Sequence, residues 1–203
     1  MFLKSIWHEM LSMRLRQLER AYQGARTAAD TEREALERSW TELKAAVEKG
    51  EASFTEEDED GQVLYDAGDR YADQAYDIDT TINLVREAFV ISLSHLWERE
   101  LNSRRRVQDY EEAKAFAYLR AQGETVPEDV LTDLRLTANV AKHSAGTSAE
   151  KLFERRPEFF DAPQMDALGA EPSYEFLLVT DQMVADFFPG FGPRFVSSGR
   201  HHK

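Results

Sequence analysis

Apolar residues recur near helical spacing along the N-terminal part of the chain, which predicts an amphipathic helix. The positions that carry this pattern are Ile6, Met10, Met13, Leu18, Tyr22, Leu36, Trp40, Leu43 and Val47. No proline interrupts residues 2–49. Gly24 and the capping-box spacing of Thr31 and Glu34 leave two alternatives: one long helix, or two helices with a break at about 27–31.

The character of the chain changes between Gly50 and Gly61, where the acidic run EEDED begins at Glu56. Such a composition is typical of a solvated, mobile spacer and favours a loop over a metal site. We therefore predict three parts. These are an N-terminal helical arm (1–50), an acidic loop (51–62), and a bundle core with a C-terminal tail (63–203).

A second long helix is predicted over residues 63–102. Its centre, Ala88 to Trp97, is apolar nearly all round, which indicates burial on several sides. A third helix is predicted over 106–121. The fourth helix follows Thr125, which stands in capping-box spacing with Glu128.

The fourth helix is expected to end near Gly146, and Thr147 with Glu150 predicts a second capping box that opens a short fifth helix. Residues 176–179 favour a short extended piece, and Thr180 predicts the N-cap of a last helix. These elements together predict an all-α fold, a helical bundle with long N-terminal helices and little or no sheet.

Composition supports one folded domain over residues 1–203. The chain is 42% hydrophobic and contains 12 Phe, 7 Tyr and 3 Trp, more aromatic residues than a disordered, highly charged chain carries. A chain of 203 residues is long enough for one sizeable core. There is no cysteine, which excludes disulfides, thiolate metal sites and cysteine nucleophiles.

The chain is acidic, with 25 basic and 38 acidic residues and a net charge of −13. This balance argues against unselective binding to nucleic acid or to an anionic membrane. Local basic groups are more typical of a solvated surface or of ion pairs with glutamate; they are Arg14, Arg16, Arg20 and Arg104–Arg106. The N-terminus lacks the pattern of a signal peptide, and the longest apolar run is too short to span a membrane. We therefore expect a cytoplasmic protein without a membrane partner.

The fourth helix carries the candidate chemistry. At about 100° per residue, four polar residues share one arc of this helix: Arg135, Asn139, Lys142 and His143. One apolar stripe lies beside the arc, formed by Leu131, Leu134, Ala138 and Ala141. A second lies on its other side, formed by Leu136 and Val140. Two stripes indicate two contact surfaces, the second of which is made by another helix of the same chain or by the same helix of a partner.

Polar residues beside such a contact lie partly out of bulk water. There, an imidazole, a guanidinium and an amide can bind a phosphate or transfer protons. The alternative interpretation is structural, with Asn139 and His143 satisfying backbone or loop groups.

The Asn-x-x-x-His motif formed by Asn139 and His143, late in a helix of a long-helix bundle, resembles the HEPN superfamily, named for higher eukaryotes and prokaryotes nucleotide-binding. The resemblance covers residues 63–146. It implies a homodimer that cleaves RNA without a metal ion and leaves cyclic phosphate ends. It also implies a place in a toxin–antitoxin or phage-defence system.

The resemblance also implies roles for the site residues. His143 would act as general base on a ribose 2′-hydroxyl or as acid on the leaving oxygen, with a second histidine supplied across a two-fold axis. Asn139 would orient a base or a phosphate oxygen. The chain has Ala138 where the family pattern has arginine, and we hypothesise that Arg135 or Lys142 supplies the cation that holds the phosphate.

A second candidate group lies on the second helix, where His95 and Glu98 stand three residues apart on one face. This spacing favours a buried structural pair or a supporting role beside the fourth helix. The sequence offers no further set of ligands for a metal. It also has no glycine-rich phosphate loop and no serine-centred elbow, so we predict no cofactor.

Two function hypotheses follow. The first is a metal-independent ribonuclease, or an inactive relative of one, in a bacterial defence or toxin system; His143→Ala then abolishes RNA cleavage. The second is a non-catalytic, acidic helical module that binds another protein. Under the second hypothesis, changes to Leu136 or Val140 weaken association.

Overall fold

A computed structural model describes the backbone of residues 2–188 and the side chains of residues 6–188. Helices dominate the described part of the chain, which confirms the all-α prediction. The long helices are α1 (Phe2–Glu48) and α2 (Ala67–Arg105). The shorter ones are α3 (Glu112–Ala121), α4 (Glu128–His143), α5 (Thr147–Arg155), α6 (Ala162–Leu168) and α7 (Asp181–Phe187). Single 3₁₀ turns lie at Pro157–Phe159 and Tyr174–Phe176.

The chain divides into two compact units. One is Ala21–Val85, and the other combines Met1–Arg20 with Arg86–Lys203. Helices α1 and α2 contribute residues to both units. The prediction of a single domain over residues 1–203 stays a prediction.

Within Ala21–Val85, α1 and α2 run antiparallel. A small apolar core holds them together, formed by Ala29, Ile78, Ile82 and Leu36. Trp40 stacks on Tyr71 with ring centroids 4.9 Å apart. Helix α1 is continuous, so the alternative of one long helix is confirmed. The Thr31 hydroxyl donates to the carbonyl of Thr27 at 2.8 Å within the helix, so it does not cap a new one.

The acidic segment forms a β-hairpin, which the loop prediction missed. Strand β1 (Thr55–Glu57) pairs antiparallel with β2 (Val63–Asp66). The Asp58 carboxylate accepts backbone N–H groups of Asp60 at 2.9 Å and Gln62 at 2.8 Å, and Gly61 adopts a φ of 77°. One carboxylate of the acidic run is therefore a turn-forming group, as short acidic side chains often are.

Helix α4 is the central helix of the second unit and packs against α5, α7 and the 174–176 turn. Leu131 and Leu134 are buried, as expected for the first apolar stripe. Leu136 and Val140 are only 2% and 1% exposed. The second contact surface is therefore made within the same chain, which confirms the first of the two alternatives for this stripe.

The start of the third helix differs from the prediction, since α3 begins at Glu112 and not at Arg106. Arg106 has a φ of 57°, and the Val107 amide donates to the Asn102 carbonyl at 3.1 Å, which closes α2. This backbone conformation ends one helix and delays the next by several residues. It also leaves Tyr110 in the connection between them.

Two predicted capping boxes are wrong. The N-cap of α4 is Pro127 and that of α5 is Gly146, and neither helix has a side-chain cap. The third predicted cap is confirmed, because Thr180 Oγ1 accepts the Met183 amide at 3.1 Å and α7 follows directly. Residue spacing alone cannot distinguish these cases, since a cap also needs extended backbone at the capping residue, which Thr180 has.

Candidate functional site

The polar arc of α4 faces α2 and the beginning of α3. Arg135, Asn139 and Lys142 follow one another at intervals of four and three residues, so they lie along one side of the helix. Arg135 and Asn139 are half-buried, whereas Lys142 is exposed. The buried stripes on either side leave this strip as the polar part of an otherwise apolar helix.

Arg135 is held by Glu112, the first residue of α3. Its Nε donates to Glu112 Oε1 at 2.9 Å and its Nη2 donates to Oε2 at 3.1 Å. Both side chains are half-buried. This two-pronged geometry is the strong form of an arginine–carboxylate pair. The guanidinium that the sequence assigned to phosphate binding therefore already has an internal anion.

Tyr110 lies beside this ion pair and was not among the predicted site residues. Trp97 Nε1 donates to its hydroxyl oxygen at 3.2 Å. Burial, reinforced by the nearby carboxylates of Glu112 and Glu98, raises the pKa of Tyr110 to about 12. The phenol therefore stays protonated at neutral pH and keeps an O–H donor beside the polar arc of α4.

The other end of the arc contacts α2. Lys142 Nζ lies 3.4 Å from His95 Nε2, and both side chains are exposed. An ammonium only donates, so whether this contact is a hydrogen bond depends on the tautomer of His95. The structure therefore brings His95 to the fourth helix, which was one of the two roles considered for it.

The other role predicted for His95, a buried pair with Glu98, is wrong. His95 is exposed, and Glu98 Oε1 instead takes a long contact of 3.4 Å from the Ser94 hydroxyl. Residues three and four apart share a helix face, so Glu98 had Ser94 as well as His95 within reach.

His143 is the last residue of α4 and is exposed. The chain turns sharply after it, because Ser144 has a φ of 65° and its amide donates to the Val140 carbonyl at 2.9 Å. Asn139 lies one helical turn before it. Three of the four predicted residues therefore lie near the C-terminal end of α4, namely Asn139, Lys142 and His143. Arg135 lies about one turn before Asn139.

A buried carboxylate on α4 is another group that the sequence interpretation missed. Asp133 is 3% exposed and accepts Arg155 Nε at 2.8 Å and Arg156 Nη1 at 2.9 Å. Arg155 also donates to Asp129, at 3.1 Å. These bonds raise the pKa of Arg155. They join α4 to the end of α5, so the cluster holds the central helix in place.

Some of the basic residues considered for nucleic-acid binding form ion pairs with carboxylates of the same chain. Arg14 pairs with Glu100, and Arg104 Nη2 donates to Glu124 Oε1 at 2.6 Å. Arg104 also lies over the ring of Trp7, 4.3 Å from its centroid. Burial alone would raise the pKa of Glu124, but hydrogen bonds and charge from Arg104, with help from His8, lower it. The ion-pair interpretation is confirmed for Arg14 and Arg104.

The residues that the structure describes contain neither a cluster that could hold a metal ion nor a helix that could span a membrane. No group of three or more His, Asp and Glu side chains there is placed to hold a metal ion. No helix within that part of the chain is long and apolar enough to cross a membrane.

Comparisons with protein-family models, with curated proteins and with solved structures find no match to this chain. The function therefore has to be argued from the site itself.

Proposed function

We propose that this chain is a HEPN-like protein that cleaves RNA without a metal ion at the end of α4. One observation carries the proposal, namely the 3.4 Å contact between Lys142 Nζ and His95 Nε2. It puts an imidazole of α2 next to the α4 turn that carries His143. A histidine in contact with a cation, together with a second histidine exposed on the same helical turn of α4, supplies the groups that metal-independent phosphodiester cleavage uses.

The reaction needs one base and one acid. The base removes the proton of a ribose 2′-hydroxyl, whose oxygen then attacks the adjacent phosphorus, and the acid protonates the 5′-oxygen that leaves. The products are a 2′,3′-cyclic phosphate and a 5′-hydroxyl. We assign these proton transfers to His143 and His95, phosphate binding to Lys142 and Arg135, and orientation of a base or phosphate oxygen to Asn139.

In this arrangement both imidazoles come from one chain, so a homodimer is not needed to complete the acid–base pair. The expected dimer is a separate part of the proposal. Light scattering on the purified protein tests it by measuring the mass in solution.

The charge distribution favours RNA binding more than the net charge of −13 suggests. Ala21–Val85 contains 17 acidic and 6 basic residues, a net charge of −11. The remaining sequence, with 21 acidic and 19 basic residues, has a net charge of only −2. The unit that contains α4 is therefore close to neutral.

The test is cleavage of a single-stranded RNA in the presence of EDTA, with identification of the product ends. His143→Ala should lower the rate by about a hundred-fold, the usual effect of removing a general acid or base. Lys142→Ala should also lower the rate, whereas Lys151→Ala, an exposed change on α5, should not. Circular dichroism establishes that each variant is folded.

Two results would contradict the proposal: a folded wild-type protein that does not cleave RNA, and an His143→Ala variant that cleaves at the wild-type rate. Its biological part, a role in bacterial defence or a toxin system, is tested by expression in bacteria. Growth arrest by the wild type should be relieved by His143→Ala.

A specific observation favours a second candidate function, a non-catalytic module that binds a basic protein partner. On the acidic unit Ala21–Val85, the β2 residues Val63 and Leu64 are 57% and 70% exposed. We take these two exposed apolar residues of the acidic unit as the contact surface under this second candidate function. Leu64→Ser should then release a partner that co-purifies with the wild type and leave RNA cleavage unchanged. Changes to Leu136 or Val140 do not test association, because both residues are buried within the chain.

A further inference from the structure

The ion pair between Arg135 and Glu112 lies within the proposed RNA site but should lower the affinity of that site for RNA. A guanidinium offers two parallel N–H groups, which match the two oxygens of a carboxylate and two oxygens of a phosphate equally well. Glu112 accepts from Nε and Nη2, the donors that would otherwise hold a phosphate in this way. A phosphate bound through Nε and Nη2 would therefore compete with Glu112 for the same two donors.

Glu112 is well suited to keep Arg135 occupied when no ligand is bound. Its carboxylate lies in the first turn of α3, where the helix dipole favours a negative charge. Both partners are half-buried, so the pair is partly shielded from water and salt. The pair is nevertheless not fully buried, so its carboxylate is accessible to displacement by a phosphate.

We propose that Glu112 regulates the affinity of this face for RNA: its carboxylate occupies the Arg135 guanidinium, and an RNA phosphate replaces it on binding. The inference rests on the proposed function, because it concerns the same face of α4. Under this proposal, Arg135 contributes to the affinity for RNA only after Glu112 has moved away.

The chain provides a matched control in Glu111, the neighbouring residue at the N-cap of α3. Glu111 is exposed and pairs with Lys114 at 2.8 Å, away from Arg135. Glu112→Gln and Glu111→Gln change the net charge by the same amount at the same end of the same helix. Any difference between the two variants therefore reports on the release of Arg135.

The measurement is the fluorescence anisotropy of a short, labelled, single-stranded 2′-O-methyl RNA, which lacks the 2′-hydroxyl and cannot be cleaved. Glu112→Gln should bind it about five-fold more tightly than Glu111→Gln, equivalent to ~1 kcal/mol. In the Glu112→Gln background, Arg135→Gln should abolish the gain.

Equal affinities of Glu112→Gln and Glu111→Gln would overturn the inference, and so would a gain that persists without Arg135. If the wild type still cleaves RNA in an His143-dependent way in those cases, only the role of Glu112 fails and the proposed function stands. If no variant binds or cleaves RNA, both proposals fail.

Discussion

Truncation of Leu136 tests whether the second apolar stripe of α4 is an internal surface. Leu136→Ala removes three carbon atoms from a side chain that is 2% exposed. At about 0.8 kcal/mol per buried methylene, this is ~2.4 kcal/mol of lost transfer free energy. The cavity left behind adds to it, so we expect a loss of about 3–4 kcal/mol in the free energy of unfolding.

Leu168 is the matched control, since it is a leucine of α6 that is 66% exposed. About a third of its side chain is buried, so Leu168→Ala should cost only ~0.8 kcal/mol. The assay is urea denaturation followed by far-ultraviolet circular dichroism. In thermal unfolding, the Leu136 variant should melt at a temperature roughly 10 °C lower than the wild type.

The experiment should be repeated at widely separated protein concentrations. If Leu136 packs within one chain, its effect on unfolding is independent of concentration, whereas a surface shared by two copies gives a midpoint that rises with concentration. A Leu136→Ala loss no larger than that of Leu168→Ala would refute the reasoning. A midpoint that depends on concentration in the wild type but not in the variant would do so as well.

Two further predictions concern buried polar groups. Asp133→Asn should lower the free energy of unfolding by about 2 kcal/mol, because it removes the carboxylate that accepts from Arg155 and Arg156. Urea titration measures this loss. The control is Asp129→Asn, which should cost less than ~0.5 kcal/mol because the Asp129 side chain is 93% exposed. Tyr110 should ionise about two pH units later than an ordinary tyrosine, with its pKa raised from 10.0 to about 12. Because the folded pKa is raised, the resulting stabilisation is complete below pH ~10 and is lost as the pH rises towards 12. Absorbance titration of the wild type and of Tyr110→Phe checks this, and loss of an early-titrating tyrosine in the variant would contradict it.

Local sequence patterns predicted the helices well where a helix buries a distinct apolar face. The apolar periodicity of α4 identified both of its buried stripes, and Thr180 was identified as a cap from its own sequence neighbourhood. Both features depend on residues within one or two turns of each other. The beginning of α3 and the β-hairpin were missed. They depend on the positive φ of Arg106 and on the pairing of Thr55 with Asp66, and amino-acid composition predicts neither a single backbone dihedral angle nor a strand register.

The candidate site could be predicted only in part, for a related reason. The polar arc of α4 is visible from residue spacing, but the groups that face it come from other elements: His95 from α2, Tyr110 from the connection, and Glu112 from α3. None of these lies at a fixed sequence distance from α4. Tyr110 and Glu112 stand among several tyrosines and many glutamates, so nothing in the sequence distinguishes them.

This difference bears directly on function. The sequence supplies the cations of α4, whereas the tertiary structure decides which of them is available to a ligand. Arg135 is engaged by a carboxylate through two hydrogen bonds, whereas the contact observed for Lys142 is a single one, to His95 Nε2. If a polyanion binds here as proposed, Lys142 is the more exposed of the two cations, and Nε and Nη2 of Arg135 become available only when Glu112 moves away. The unequal internal contacts of these two cations are a property of the folded chain that residue spacing on α4 does not reveal.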